Sequence, residues 1–198
     1  AQIYSLARIT EIALQIPSIE KLVVVPYTQV SPDISVIPNA VFFDDFKDHT
    51  AAEMEFVQLP ADHPLYIMYS SGTTGLPKCM VQSSGGILLN HLKELVLHTD
   101  LKRDDVIFYF TTCGWMMWNW LVSSLAVGST AVLYDGNPFH PDPGALWRMA
   151  QNDRITVFGT SAGYLAALKN SGERPAKEYD LSPLRAVLST GSPLSEEG

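Results

Sequence analysis

Residues 65–78 read LYIMYSSGTTGLPK, an apolar segment that runs directly into a loop of small and hydroxyl residues. The segment from Leu65 to Tyr69 predicts a β-strand, because apolar and aromatic residues stop where turn residues begin. In the loop, Gly72 and Gly75 allow the backbone to turn its amides inward and form a nest for an anion. Lys78 adds a positive charge, and four residues add hydroxyl donors: Ser70, Ser71, Thr73 and Thr74. The stretch favours a strand followed by a phosphate-binding loop, although its composition also fits a plain surface turn.

The loop is not the P-loop of nucleotide hydrolases. That motif requires lysine directly after glycine and a Ser or Thr directly after the lysine. Here Leu76 and Pro77 separate Gly75 from Lys78, and Cys79 takes the place of the magnesium-binding hydroxyl.

Strand patterns alternate with helix patterns along the rest of the chain. Strands are predicted at residues 21–26, 65–69, 106–112, 130–134, 155–158 and 184–190, with a further short one considered at 41–43. Helices are predicted at residues 1–16 and 88–96, after Asp142-Pro143, and from Ser161 to Gly172. This alternation predicts an α/β fold with a mostly parallel sheet and helices on both faces. We expect one partial domain over 1–198, in which 1–60 end one sheet lobe and 61–198 form part of a second, and both chain ends cut through a larger domain.

Composition excludes several classes of protein. The chain has 198 residues, 46% of them hydrophobic and 17% charged, which predicts an ordered globular protein. A net charge of −8 argues against a nucleic-acid binder. The uncharged residues 106–134 are interrupted by polar residues, so two buried strands around a helix are favoured over a membrane span.

The cysteines and histidines have no ligand-like spacing. Cys79 and Cys113 are expected to be reduced core thiols, as in cytoplasmic proteins, and no signal peptide is recognised. The five histidines predict no metal site and are expected at the surface or partly buried: His49, His63, His91, His98 and His140.

The whole string from Tyr69 to Lys78 resembles the phosphate-loop signature of the adenylate-forming superfamily, which includes acyl-CoA synthetases, peptide synthetase adenylation domains and luciferases. Further segments follow in the order and spacing of its short-chain acyl-CoA ligases: GWMMWNW at 114–120, LYDG at 133–136 and LSTGSPL at 188–194. The resemblance covers essentially the whole chain and implies the N-terminal domain of such an enzyme. Within the group it is most similar to ligases for acetoacetate. A ligase for acetate or propionate, and a nucleotide-binding module without turnover, are the alternatives.

The resemblance implies that the loop holds the β- and γ-phosphates of ATP through Ser70, Ser71, Gly72, Thr73, Thr74, Gly75 and Lys78. Of these, Thr74 and Lys78 would be catalytic and, with Thr73, would stabilise the departing pyrophosphate. Gly191, Ser192 and Pro193 would lie along adenine, with Ser192 in place of the more common acidic residue or alanine. The alternative for these three residues is an ordinary strand-to-helix turn.

The resemblance also implies an acid pocket lined by Trp115, Met116, Met117 and Thr190. An aromatic and methionine cluster is equally typical of a core, and Trp118 and Trp120 are expected there. Ser161 falls where relatives pass the CoA arm. Mg2+ would bridge the phosphates, but the family's metal ligand, ribose Asp and C-terminal Lys have no counterpart in residues 1–198. We therefore expect the full-length enzyme to transfer acetoacetate to CoA through an acyl-adenylate, and residues 1–198 alone to be inactive.

Overall fold

The computed structural model describes residues 5–27, 29–50, 53–70 and 75–194. They form two compact units, which divide between Val57 and Gln58. The assignment of these parts to two lobes of a larger domain stays a prediction. Within the described ranges, no helix is long and apolar enough to cross a membrane.

The first unit has two strands and two short helices: α1 (Leu6–Gln15), β1 (Leu22–Val24), β2 (Ala40–Phe42) and α2 (Phe43–Phe46). β1 and β2 pair in parallel, with Val23 opposite Val41. The strand predicted at residues 21–26 is present but shorter. Val23 is 38% exposed, and Val25, just after the strand, is 61% exposed.

The second unit contains six strands and most of the helices. Its elements in chain order are β3 (Pro64–Ser70), β4 (Lys78–Ser83), α3 (Ser84–Leu92), a π-helix (Lys93–His98), β5 (Val106–Tyr109), α4 (Met116–Ser123), a 3-10 turn (Ser124–Ala126), β6 (Thr130–Val132), α5 (Ala145–Asn152), β7 (Val157–Ser161), α6 (Ala162–Ser171), α7 (Pro175–Glu178) and β8 (Ala186–Thr190). The predicted α/β class is confirmed.

β3 and β4 form an antiparallel hairpin around the candidate phosphate loop. Ile67 lies opposite Val81, and Ser70 lies opposite Lys78. The sequence analysis did not predict β4. Lys78–Ser83 has only a short apolar run, Cys79 to Val81, and no alternation, because its first four side chains are all exposed.

β5 to β8 form a parallel sheet in the order β6-β5-β7-β8. Side chains alternate along each strand, so Phe108 and Phe158 face one side while Ile107 and Val157 face the other. On the first side they pack in a cluster with α5 and α6: Leu146, Trp147, Ala150, Ile155, Tyr164 and Leu168. On the second side they pack in a cluster with α4, the π-helix and the following loop: Leu95, Leu101, Tyr109, Trp120 and Leu121. Helices therefore cover both faces, as predicted.

The strand order reverses between β5 and β7. The chain leaves β5 through α4 to reach β6 on one side, and then returns through α5 to β7 on the other side. Right-handed crossovers in opposite directions place their helices on opposite faces, which accounts for the two clusters. In open α/β sheets, ligands bind beyond the carboxyl ends of the strands at such a reversal.

Several local predictions were wrong. The strands predicted at 106–112 and 130–134 are shorter and stop at Tyr109 and Val132. The helix expected after Asp142-Pro143 is α5, which begins at Ala145, and the side chain of Asp142 does not cap it. Its carboxylate instead accepts hydrogen bonds from the Gly144 amide and the Arg148 guanidinium.

Two further predictions concerned burial. The cysteines Cys79 and Cys113 are free, but both are exposed, so their placement in the core was wrong. His91 is not at the surface, because only 1% of it is exposed. It lies one helical turn from buried Ile87 and Leu95, a spacing that could have indicated its burial.

Candidate active site

The hairpin holds the two described ends of the candidate phosphate loop side by side. Ser70 ends β3 and Lys78 begins β4, and the two residues are paired across the strands. Lys78 is exposed, so its ammonium group is accessible to an anion. Four of the predicted loop residues lie outside the described residues: Ser71, Gly72, Thr73 and Thr74.

Gly75 has the backbone geometry that a tight loop requires. Its φ is +112°, a conformation that residues with a Cβ atom rarely adopt, while the space around its Cα is open. Backbone conformation, and not crowding, therefore explains why glycine stands here. This agrees with the predicted turn but leaves phosphate binding as a prediction.

The predicted adenine segment follows the carboxyl end of β8. Ser161 at the end of β7 pairs with Thr190 at the end of β8, so both strands finish at one edge of the sheet. Gly191 has a φ of +94° and turns the chain away from that edge. Ser192 and Pro193 are exposed beyond it. Adenine contact remains a prediction, but the segment lies at the edge where α/β sheets bind ligands.

Ser161 has a structural function. Its hydroxyl oxygen accepts a hydrogen bond from the Tyr164 amide at 3.1 Å and caps α6. The helix ends at Gly172, whose φ is +82°. Both helix ends agree with the sequence prediction. The proposed passage of the CoA arm at Ser161 stays untested.

A tight contact fixes β5 against β7 at the point where the strand order reverses. A Cβ atom on Gly159 would lie 2.0 Å from the ring of Tyr109, so only glycine fits beneath that ring. The Tyr109 hydroxyl donates a hydrogen bond to the Thr160 carbonyl at 3.0 Å. Burial raises the pKa of Tyr109 to about 12, so the hydroxyl keeps its proton at neutral pH. This edge of the sheet is therefore held in one arrangement.

A cavity of about 550 Å³ lies between β3 and the start of α4. We call it the acid cavity, after the acid pocket predicted at Trp115 and Met116; binding of an acid there stays a prediction. Its lining residues are Ile67, Met68, Tyr69, Cys113, Gly114, Trp115, Met116 and Asn119. Two of the predicted pocket residues, Trp115 and Met116, line it. Met117 packs against the cluster around Trp120 instead, and Thr190 is exposed at the end of β8.

The tryptophans near this cavity differ in burial. Trp115 is 70% exposed, while Trp120 is only 6% exposed and contacts the Tyr109 ring edge-on. The core prediction holds for Trp120. Trp118 is half-buried and lines a second cavity.

That second cavity, of about 470 Å³, lies at the carboxyl ends of β5 and β6. It is lined by Tyr109, Phe110, Thr111, Thr112, Cys113, Trp118, Leu121, Leu133, Tyr134, Asp135 and Gly136. Cys113 lines both cavities, so the loop before α4 separates them. The sequence analysis missed this cavity. Its signal is that two predicted strands both end in polar residues, Thr111-Thr112 and Asp135-Gly136.

The sequence analysis also missed Met68, Tyr69 and Asn119 as residues of the acid cavity. Asn119 follows Met116 by three residues on α4, a spacing that places two side chains on one helix face. Met68 and Tyr69 belong to the strand before the loop. The loop motif was the stronger signal in this stretch, so these two residues were not predicted to line a pocket. Over the parts of the chain that the structure describes, no group of three or more His, Cys, Asp or Glu residues could hold a metal ion.

Comparison with known proteins defines the class. The family model "AMP-binding enzyme" matches residues 8–198, so the chain belongs to the AMP-binding enzyme family. It is 48% identical to a Gallus gallus protein named acetoacetyl-CoA synthetase, over 97% of this chain and 30% of that protein. It is 40% identical to malonamoyl-CoA synthetase vrtB of Penicillium aethiopicum, over 96% of this chain and 29% of that protein. The resemblance to adenylate-forming enzymes is confirmed.

A solved structure with the same name as the first of these relatives has a similar fold. The acetoacetyl-CoA synthetase from Streptomyces lividans superposes with a TM-score of 0.84 at 43% identity, covering 98% of this chain and 29% of that one. The predicted fold, part of the N-terminal domain of an adenylate-forming enzyme, is thereby confirmed. The chain spans about 30% of the length of the relatives it matches.

Proposed function

We propose that this chain is part of an ATP-dependent acid–CoA ligase that activates acetoacetate. The observation that carries the proposal is the position of the acid cavity, which is bounded by β3, the strand that leads into the candidate phosphate loop. An acid bound there would lie beside the phosphates of ATP. Similarity to proteins named acetoacetyl-CoA synthetase along nearly the whole chain supports this choice of acid.

The reaction would proceed in two steps. A carboxylate oxygen of acetoacetate attacks the α-phosphorus of ATP, the bond from that phosphorus to the β-phosphate oxygen breaks, and pyrophosphate leaves. The sulfur of CoA then attacks the acyl carbon and loses its proton, and the bond from that carbon to AMP breaks. The products are acetoacetyl-CoA and AMP.

The phosphate loop would act by electrostatics. Negative charge accumulates on the departing pyrophosphate, and a fixed cation with inward-facing amides and hydroxyls stabilises it. Lys78 supplies the cation, and Thr73 and Thr74 would supply hydroxyls. Pairing of Lys78 with Ser70 across the hairpin would hold that charge at the mouth of the loop. Gly191, Ser192 and Pro193 would carry adenine at the carboxyl edge of the sheet.

Mg2+ would accompany ATP in such a reaction and neutralise part of the phosphate charge. Among the described residues, no group of three or more His, Cys, Asp or Glu could hold a metal ion, and the cation that this chain would itself contribute is Lys78. Two free cysteines and the use of ATP and CoA support a cytoplasmic location.

The names of the relatives suggest one feature of the acid. Acetoacetyl and malonamoyl groups both carry a carbonyl on the third carbon, counted from the carboxylate. We propose that the acid cavity of this chain accepts small acids with that group. Its lining of Ile67, Met116 and Trp115 would contact the remaining carbon atoms.

The test is pyrophosphate release by the full-length protein that contains this chain. It would be incubated with ATP, Mg2+, CoA and, in turn, acetoacetate, malonamate, acetate, propionate and butyrate. We expect acetoacetate to give the highest kcat/KM, with formation of its CoA ester. A higher value for acetate or propionate would overturn the choice of acid, and no release with any acid would overturn the ligase.

A further inference from the structure

Among the described residues that line the acid cavity, Asn119 is the one with a carboxamide side chain. It lies on α4, three residues after Met116, is half-buried, and lines the cavity together with largely apolar or aromatic side chains. Its side-chain amide nitrogen is 3.5 Å from the sulfur of Met68 on β3. Among the described residues this is the one hydrogen bond of that side chain, and a thioether sulfur is a weak acceptor.

The backbone beneath Asn119 is held by a pair of residues, partly buried Ser123 and buried His91. The Ser123 hydroxyl donates to the Asn119 carbonyl at 3.0 Å and accepts from Nδ1 of His91 at 2.8 Å. His91 is 1% exposed and belongs to α3, so this pair ties α4 to the neighbouring helix. Helices hold functional groups more firmly than loops do. The amide of Asn119 is therefore presented to the cavity from a fixed position.

A partly buried amide N–H forms a more stabilising hydrogen bond when a weak acceptor is replaced by a strong one. A ketone or amide oxygen accepts a stronger hydrogen bond than a thioether, whereas a methylene accepts none. An acid with a carbonyl on its third carbon would offer that oxygen, and the saturated acid of equal length would leave Asn119 with Met68 alone.

We infer that Asn119 determines specificity for 3-oxo acids by donating a hydrogen bond from its side-chain amide to the carbonyl oxygen on the third carbon of the substrate. This inference rests on the proposed function. It adds a residue and an atom-level reason for choosing acetoacetate over butyrate, which has the same carbon chain without that oxygen.

The experiment compares kcat/KM for acetoacetate and butyrate in the full-length protein. Asn119→Leu removes the donor at similar volume, and Asn119→Asp keeps the shape while replacing the donor nitrogen by oxygen. A neutral hydrogen bond contributes a few-fold to roughly tenfold in net selectivity. We expect the acetoacetate-to-butyrate ratio to fall by roughly tenfold in both variants. In Asn119→Leu the loss should fall on acetoacetate, whereas the negative charge of Asn119→Asp should also lower kcat/KM for both acids.

Asn90→Leu is the matched control, because Asn90 is an exposed asparagine on α3 whose side chain bonds only to Glu94 and Lys93 among the described residues. Its ratio should equal that of the unsubstituted protein. Equal losses for both acids in the Asn119 variants, or an unchanged ratio, would overturn the inference while leaving the ligase in place. An unsubstituted protein that activates no acetoacetate would overturn the proposed function and this inference with it. Either Asn119 variant suffices if the other fails to fold.

Discussion

The hairpin of β3 and β4 and the parallel sheet of β5 to β8 differ in how they bury their apolar residues. In the sheet, Phe108 and Phe158 are 0% exposed, because helices cover both faces. In the hairpin, Ile67 is 60% and Val81 61% exposed. Burial of apolar surface is the main source of folding free energy. The sheet therefore carries the stability of the second unit, while the hairpin can carry residues chosen for binding.

Removal of a buried ring from the sheet should have the largest effect. Phe158 stacks on Trp147 at 4.5 Å between ring centroids and lies 5.1 Å from Phe108. Phe158→Ala should lower the free energy of unfolding by about 3–5 kcal/mol, measured by urea unfolding. On the hairpin, Val81→Ala should cost under about 0.5 kcal/mol, because that side chain is largely in solvent already. Similar losses in both variants would remove the contrast between the two regions.

For catalysis we expect a substitution on the hairpin to have a large effect while leaving stability nearly unchanged. Lys78→Ala should lower pyrophosphate release by roughly 30- to 1000-fold, since loss of a charged transition-state contact costs about 2–4 kcal/mol. Its melting temperature should hardly change, because Lys78 is exposed. Lys93→Ala, which removes an exposed lysine from the π-helix, is the control and should retain activity. Near-normal turnover in Lys78→Ala would contradict the phosphate-loop assignment, and Thr74→Val should behave in the same direction.

The same contrast explains which parts of the fold could be predicted. The β5 segment is a continuous run of apolar and aromatic residues because it is buried on both faces, and the caps at Ser161 and Gly172 depend on local chemistry. These features depend on short stretches of sequence and can therefore be predicted from them. The strand β4 was missed because its exposed residues give no periodic signal. The exposure of Cys79 follows from which elements cover it, and local sequence does not specify this.

The candidate site was predictable where a long motif marks it and not elsewhere. The string from Tyr69 to Lys78 indicated a phosphate loop without any knowledge of the fold. Asn119 and Met68 are 51 residues apart and meet only because α4 packs near β3. No spacing rule connects two such residues. Sequence reasoning therefore predicted a phosphate loop but did not identify Asn119 as a residue that lines the acid cavity.

An ion pair lies at the amino ends of β5 and β8. It tests whether burial of apolar side chains alone stabilises the parallel sheet. Burial alone would raise the pKa of Asp105, but hydrogen bonds from Arg185 and Thr156 outweigh it and lower the pKa from 3.8 to about 2. A carboxylate with a lowered folded pKa stabilises fully above its unfolded pKa and loses that effect as pH falls through the folded value. The protein should therefore lose about 2 kcal/mol between roughly pH 5 and pH 2 from this group.

Asp105→Asn should lower stability by a similar amount at pH 7 and flatten the curve over that range, as followed by urea unfolding at successive pH values. Asp142→Asn breaks the more exposed pair with Arg148 and is the matched control. It should change the curve far less, because water screens that pair. A curve for Asp105→Asn as steep as that of the unsubstituted protein would assign the acid sensitivity to other groups.

Within α4, two adjacent methionines allow a cavity position to be compared directly with a core position. Met116 lines the acid cavity, whereas Met117 packs on the core cluster. Met116→Ala should shift preference towards longer or branched acids by about 1–3 kcal/mol of discrimination, with little loss of stability. Met117→Ala should lower the melting temperature and leave the acid profile unchanged. The reverse pattern in an acid panel and a thermal melt would mean that Met117 is the pocket residue.

Ser161 should give the smallest effect, and it lies where the sheet meets the candidate site. Its hydroxyl caps α6 through the Tyr164 amide, so Ser161→Ala should cost about 1 kcal/mol in urea unfolding. Asparagine caps a helix as well as serine does but is larger, so Ser161→Asn should keep the stability. If the CoA arm passes this position, the larger side chain should raise the KM for CoA in the full-length protein while the KM for the acid stays constant. An unchanged KM for CoA in Ser161→Asn would confine Ser161 to capping and would place the CoA arm elsewhere along the carboxyl edge of the sheet.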